Sequence, residues 1–135
     1  MSGQYYLLRI VLSGTRPEIW RRFVVPADIS LARLHDVIQI VMGWQDLHLH
    51  EFLFGHERFT EAPDGKAQGK NEAFFRLCDL IHTEEASFLY HYDFGASWWH
   101  EITLECTYFR PDDLPGVFSC TEGEVCCPPG RLWRD

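Results

Sequence analysis

The hydrophobic period of this chain first switches, from two to 3.6, between Pro26 and Ser30, and that switch limits the fold more than any other feature. Before it, Tyr6, Leu8, Ile10 and Leu12 alternate along residues 5–12, the pattern of a strand with one apolar face. Ser13-Gly14-Thr15-Arg16-Pro17 supplies turn chemistry, and residues 19–25 read as a second strand that Pro26 ends. The two predict a hairpin. After the switch, Ser30 suits a helix N-cap, and Leu31, Leu34, Val37, Ile38, Val41 and Met42 make one apolar stripe. Gly43 suits the position that stops the helix.

Period two then returns. Residues 48–55 read as a third strand with Phe52 and Phe54 on one face, and residues 74–81 as a short helix. Phe88, Tyr90, Tyr92 and Phe94 alternate with Leu89, His91 and Asp93 along a fourth strand. Gly95-Ala96-Ser97 makes a tight turn, and residues 98–109 form a fifth strand with Ile102, Leu104 and Cys106 on one face. The order β-β-α-β-(α)-β-β predicts an α+β fold, a mixed sheet with a covering helix on a β-grasp-like plan. Residues 62–71 read as a surface loop, and the Pro-, Gly- and Cys-rich tail from about residue 109 as irregular structure.

At 135 residues the chain fits one domain, residues 1–135, and 46% hydrophobic content excludes general disorder. No apolar run approaches the ~20 residues that span a bilayer, so no membrane partner is expected. The N-terminus lacks the layout of a secretory signal. Five cysteines, two of them adjacent, make a poor disulfide framework, and a reducing cytoplasm is the simpler setting. A formal charge of −8 disfavours wholesale binding to nucleic acid. The charge is uneven, however: residues 1–35 hold five arginines and two acids.

Several groups of residues could carry chemistry. On a strand, His48 and His50 would share a face and could chelate one ion, with His100 brought near by the sheet. Three histidines and a water would suit a divalent transition metal, with Asp93 orienting an imidazole and Asp93 or Glu51 available as base. A centred Gly95-Ala96-Ser97 turn sets Asp93 opposite Trp99 and His91 opposite Glu101, as a cross-strand ion pair. Trp98 and Trp99 then point to opposite faces, one into the core and one free to stack on a ligand. His35 reads as a residue at the boundary of the helical stripe, and Cys120, Cys126 and Cys127 as incidental thiols without C-x-x-C spacing. Arg16, Arg21 and Arg22 are the candidates for an anionic partner. Nucleotide-binding glycine loops and a G-x-S-x-G elbow are absent from the sequence.

Four blocks carry a resemblance: IWRR (residues 19–22), LHDVIQIVMGW with HLHEF (residues 34–52), YDFG with Trp98 and His100 after it, and CCPP (residues 126–129). In this order and spacing the chain resembles the plasmid pRiA4b ORF-3-like family, from about Tyr5 to Pro129. The resemblance implies a compact α+β domain of a bacterial or archaeal cytoplasm with a mobile-element context. Members are of unknown function, and some bear names linked to resolvases. The chain lacks the nucleophilic serine among arginines and the helix-turn-helix that a serine recombinase needs, so that activity is not carried over. It also departs from the family pattern at Ala96, where an acid is usual. After CCPP, Gly130-Arg131-Leu132-Trp133-Arg134-Asp135 stand in place of acids followed by glycines. An activity that needs those acids is expected to be lost here, or the chain to be shortened relative to its relatives.

The leading expectation is a non-catalytic binding module that receives a protein or peptide on a sheet edge or the Trp-bearing hairpin. The alternatives are a metal-dependent hydrolase using the histidines and a nucleic-acid accessory protein using the arginines.

Overall fold

The computed structural model describes residues 4–61 and 69–109. Strands β1 (Tyr5–Leu12) and β2 (Ile19–Pro26) pair antiparallel as a hairpin, with Leu8 opposite Phe23. Helix α1 (Leu31–Met42) begins where the Ser30 hydroxyl accepts the Arg33 N–H at 3.2 Å. It ends at Gly43, which takes the left-handed conformation (φ 79°) and lets the Trp44 N–H turn back to the Gln39 carbonyl. Leu31, Leu34, Ile38 and Val41 are buried, while Val37 and Met42 sit at the margin of the core.

The chain continues through β3 (His50–Phe54), β4 (Glu57–Thr60), β5 (Lys70–Asn71), a 3₁₀ turn (Glu72–Phe74), α2 (Leu77–Leu80), β6 (Ser87–Tyr92) and β7 (Trp98–Phe109). The described residues form one seven-stranded sheet in the order β2-β1-β7-β6-β3-β4-β5. Its neighbours are antiparallel except β4 and β5, so the sheet is mixed and the fold α+β, as the pattern of periods predicts. The covered face carries Leu8, Ile10, Phe23, Phe52, Phe88, Tyr90, Ile102 and Leu104, all buried. Each such side chain contributes about 1.5–3 kcal/mol by leaving water.

Five local expectations change, one of them at residues 70–71 of the expected surface loop, which form β5. Strand β3 begins at His50: the Asp93 N–H still donates in register to the Leu49 carbonyl at 2.8 Å, but Asp93 is left-handed (φ 63°) and residues 48–49 stay outside the ladder. A strand the sequence reading missed, β4, follows a two-residue turn at Gly55-His56, where Gly55 has φ 64°. That turn and Phe59 beyond it were the available signal. The helix expected at residues 74–81 divides into the 3₁₀ turn and the four-residue α2.

The β6–β7 loop spans residues 93–97, so Tyr92 faces Trp98, His91 faces Trp99 and Leu89 faces Glu101. Asp93 (φ 63°) and Ser97 (φ 59°) are left-handed, and the Asp93 side chain accepts the Ala96 N–H at 3.2 Å. That local turn satisfies its own backbone and stops the ladder early. The expected His91–Glu101 pair therefore does not form. Residues 62–68 of the expected loop, and the tail with Cys120, Cys126 and Cys127, lie outside the described residues. Among the described residues, no helix is long and apolar enough to cross a membrane.

Candidate functional site

The sequence brings a chain of polar groups into the core between α1 and the sheet. Helical spacing puts His35 and Gln39 on one face, four residues apart, over Tyr90 of β6. His35 Nε2 lies 2.8 Å from Asp46 Oδ1, and His35 Nδ1 lies 2.7 Å from the Tyr90 hydroxyl. A carboxylate only accepts, so Nε2 carries the imidazole proton, Nδ1 is bare, and the Tyr90 O–H donates to it. Gln39 Nε2 donates to the same hydroxyl at 2.8 Å, and its Oε1 accepts the Asp46 N–H at 2.6 Å. Beside this, His50 Nε2 meets Glu72 Oε1 at 2.8 Å, with both side chains buried. His50 Nδ1 has no hydrogen-bond partner among the described residues.

Burial sets the protonation of His35 and Tyr90. It lowers the His35 pKa, an effect the neighbouring His50 reinforces, and it pushes the Tyr90 phenol up. His100 is fully buried on β7, donating from Nδ1 to the Tyr90 carbonyl at 3.1 Å and accepting the Trp44 indole N–H on Nε2 at 3.2 Å. Burial holds its pKa down to about 4.

At the surface above this cluster, two open depressions share Leu47, His48 and Asp93. The larger, about 500 Å³, is bounded also by Asp46, Leu49, Glu61 and Phe94. The smaller, about 250 Å³, adds Trp44, Tyr92 and Trp98. Trp44 packs against Tyr92 (ring centroids 5.5 Å apart) and Trp98 (5.7 Å). His48 Nε2 lies 3.6 Å from Asp93 Oδ2. The 46–49 segment is tied to the hairpin by the Leu47 N–H, which donates to the Tyr92 hydroxyl at 2.9 Å. Leu47 and Leu49 are 72% and 65% exposed, so the rim offers apolar surface that no described residue covers. The walls hold Asp46, Glu61 and Asp93 and no lysine or arginine, which gives the cleft a negative field.

The structure separates the expected metal ligands. His48 is exposed and faces Asp93, His50 is buried against Glu72, and both nitrogens of His100 are engaged by Trp44 and Tyr90. Among the described residues, the group whose ligand atoms do lie within 4.8 Å of one another is His35, Asp36 and Asp46. Asp93 is in the cleft, while Glu51 sits on the opposite face, bonded to His91 and Arg58. Trp98 lines the cleft, and Trp99 stacks on His91 at 3.8 Å across the sheet. The three arginines do not make one patch. Arg21 is buried, Arg22 pairs with Glu105 at 2.7 Å and lies over Trp20, and Arg16 is exposed in the turn. His35, read as a boundary residue, is central and buried. Its place four residues before Gln39 was the one available hint.

Over 139 aligned residues the chain is 38% identical to the uncharacterized protein y4hQ of Sinorhizobium fredii, covering 96% of this chain and 66% of that protein, so it spans just under two thirds of that relative. Its fold is similar to the crystal structure of MM3350, a protein of unknown function from Methanosarcina mazei Go1, with a TM-score of 0.77 and 30% identity over 91% of this chain and 70% of that one. Neither name assigns an activity. The model of the plasmid pRiA4b ORF-3-like family matches residues 4–132, and the blocks that meet at the cleft are ones by which the sequence resembles it; the chain belongs to the plasmid pRiA4b ORF-3-like family.

Proposed function

We propose that this domain is a binding module whose cleft receives a basic side chain from a protein or peptide, with apolar residues beside it. The observation that carries the reading is the meeting, at Leu47, His48 and Asp93, of two adjoining depressions, one holding Asp46 and Glu61 and the other the Trp44–Tyr92–Trp98 aromatic group. A lysine or arginine over these ring faces gains about 0.5–2 kcal/mol from the ring quadrupoles, and the carboxylates add long-range attraction. Exposed Leu47, Leu49 and Phe94 would pack on flanking apolar residues. The reading sets the domain in a reducing cytoplasm, which the free thiols of Cys78 and Cys106 support. A mobile-element setting rests on family resemblance alone.

Titration calorimetry against peptide pools that differ in charge tests the idea. Peptides with a Lys or Arg next to leucine or phenylalanine should bind, more weakly as salt rises and equally well with chelator present. Asp93→Asn and Trp98→Ala should each weaken binding about tenfold, the loss of ~1.4 kcal/mol. Equal binding of acidic peptides, or full affinity in both variants, would sink the reading. Affinity that vanishes with chelator would transfer the site to a metal held by His48 and Asp93.

A further inference from the structure

We propose that Ser97 is an activated nucleophile that accepts an acyl group from activated esters, with His91 as its general base and Glu51 as the residue that positions His91. This site uses the sheet face opposite α1 and does not depend on the cleft reading.

The geometry comes from strand register. Glu51 of β3 and His91 of β6 are directly paired, and their side chains share the outer face with Trp99 of β7. His91 Nδ1 lies 2.8 Å from Glu51 Oε2, and Arg58 Nε lies 2.9 Å from the other oxygen, Oε1. The carboxylate accepts both protons, so in the neutral imidazole the proton sits on Nδ1 and His91 Nε2 is bare. It faces the Ser97 hydroxyl at 3.2 Å. Stacking fixes the imidazole plane: Trp99 lies 3.8 Å away and within 4° of parallel, and Phe94 covers it at 4.9 Å. Glu51 and His91 are buried and Ser97 is exposed, so base and orienting group are shielded while the nucleophile meets solvent. Ser97 is left-handed (φ 59°), a conformation rare for a non-glycine residue and met at sites where a side chain is held for a purpose. Its hydroxyl also reaches the Phe94 carbonyl at 3.1 Å, so the resting proton has two acceptors.

This is the nucleophile–base–orienter arrangement of acyl transfer. Ser97 Oγ bonds to the acyl carbon while its proton moves to His91 Nε2, and the imidazolium sits against the Glu51 carboxylate. Collapse of the adduct breaks the bond to the leaving group, which takes the proton from Nε2. Water then attacks the acyl-serine, with His91 again as base, and releases the carboxylic acid and Ser97. The same turn restricts the substrate. The N–H groups of Ala96 and Ser97 are taken by the Asp93 side chain and carbonyl, so they are not free to hold an oxyanion. A missing donor of that kind costs about 10²–10³ in rate. The site therefore suits aryl esters and thioesters, whose leaving groups depart readily, and not amides.

The full chain should be incubated with a fluorophosphonate and with 4-nitrophenyl acetate, and adducts mapped by mass spectrometry. A single adduct at Ser97 is expected. Ser97→Gly, which keeps the left-handed backbone, should abolish it, and Ser97→Cys should restore acylation by the ester. His91→Gln should slow adduct formation about 10²–10⁴-fold. Glu51→Gln should slow it about tenfold or more without a matching loss of thermal stability, which separates positioning from folding. No adduct at Ser97, adducts spread over several serines, or an unchanged Ser97 rate in folded His91→Gln or Glu51→Gln protein would overturn the proposal. Should His91→Gln fail to fold, the Glu51→Gln rate decides.

Discussion

His35 and His50 stack face to face in the core, ring centroids 3.5 Å apart and planes within 6°. Two imidazolium ions at that separation repel, and burial adds a desolvation cost, so His35 resists taking up a proton. His35 is accordingly held below 6.5, by burial first and His50 second, and His100 is held down to about 4 by burial.

That has a signed consequence for stability. Both folded-state pKa values lie below the unfolded value, so the unfolded chain binds more protons as pH falls beneath 6.5. Stability is fully present above about pH 6.5 and is lost on acidification, through the His100 window down to about pH 4. Between pH 7 and pH 5, His100 alone should remove about 2 kcal/mol. Urea denaturation at both pH values measures this, and His100→Gln, which keeps a donor and an acceptor, should flatten the slope by that amount. Identical slopes in the two proteins would remove His100 from the account.

The two histidines of the His48-Leu49-His50 run should behave oppositely. His50→Ala leaves the buried Glu72 carboxylate without its partner and opens a cavity beneath His35, a loss of about 3–5 kcal/mol. His48→Ala changes an exposed residue whose pairing with Asp93 is loose at 3.6 Å, and should stay within about 0.5 kcal/mol of the parent. Thermal melts of the two variants distinguish them, and equal destabilisation would contradict the structure.

Tyr90→Phe deletes one hydroxyl and strands two buried groups, His35 Nδ1 and the Gln39 amide. The expected cost is about 1–3 kcal/mol, more than an isolated hydrogen bond would give. Combining Tyr90→Phe with Gln39→Leu should cost less than the sum of the two single changes, since the second removes the donor the first strands while itself freeing the Asp46 N–H. Strict additivity in denaturation experiments would mean the three side chains do not act as one network.

Gly43→Ala places a side chain on a left-handed residue. Nothing lies within 4 Å of the added Cβ, so the penalty is conformational alone, about 1–2 kcal/mol. A melting temperature unchanged from the parent would show that the helix can end without that conformation.

The order of elements was legible because period and capping residues act locally. Alternation from Tyr6 to Leu12 marks β1, and Ser30 and Gly43 mark the ends of α1 to the residue. Failures came where a turn has two local solutions. The Gly95-Ala96-Ser97 reading was sound turn chemistry, yet Asp93 and Ser97 turn the chain instead, and a two-residue change in pairing carries His91 from Glu101 to Trp99. Likewise His48 and His50 have strand spacing, but β6 stops at Tyr92, where the left-handed Asp93 (φ 63°) turns the chain, and the ladder ends between the two histidines.

By itself, the sequence determined the α+β class, the hairpin, the helix and its buried stripe, because each depends on side chains within a turn or two of one another. Tertiary structure alone decided the site. His35 meets Tyr90 across 55 residues, Glu51 meets His91 across 40 and Trp44 meets His100 across 56. No local period encodes those meetings; they follow from sheet order and strand register, which are fixed only when the whole core is packed.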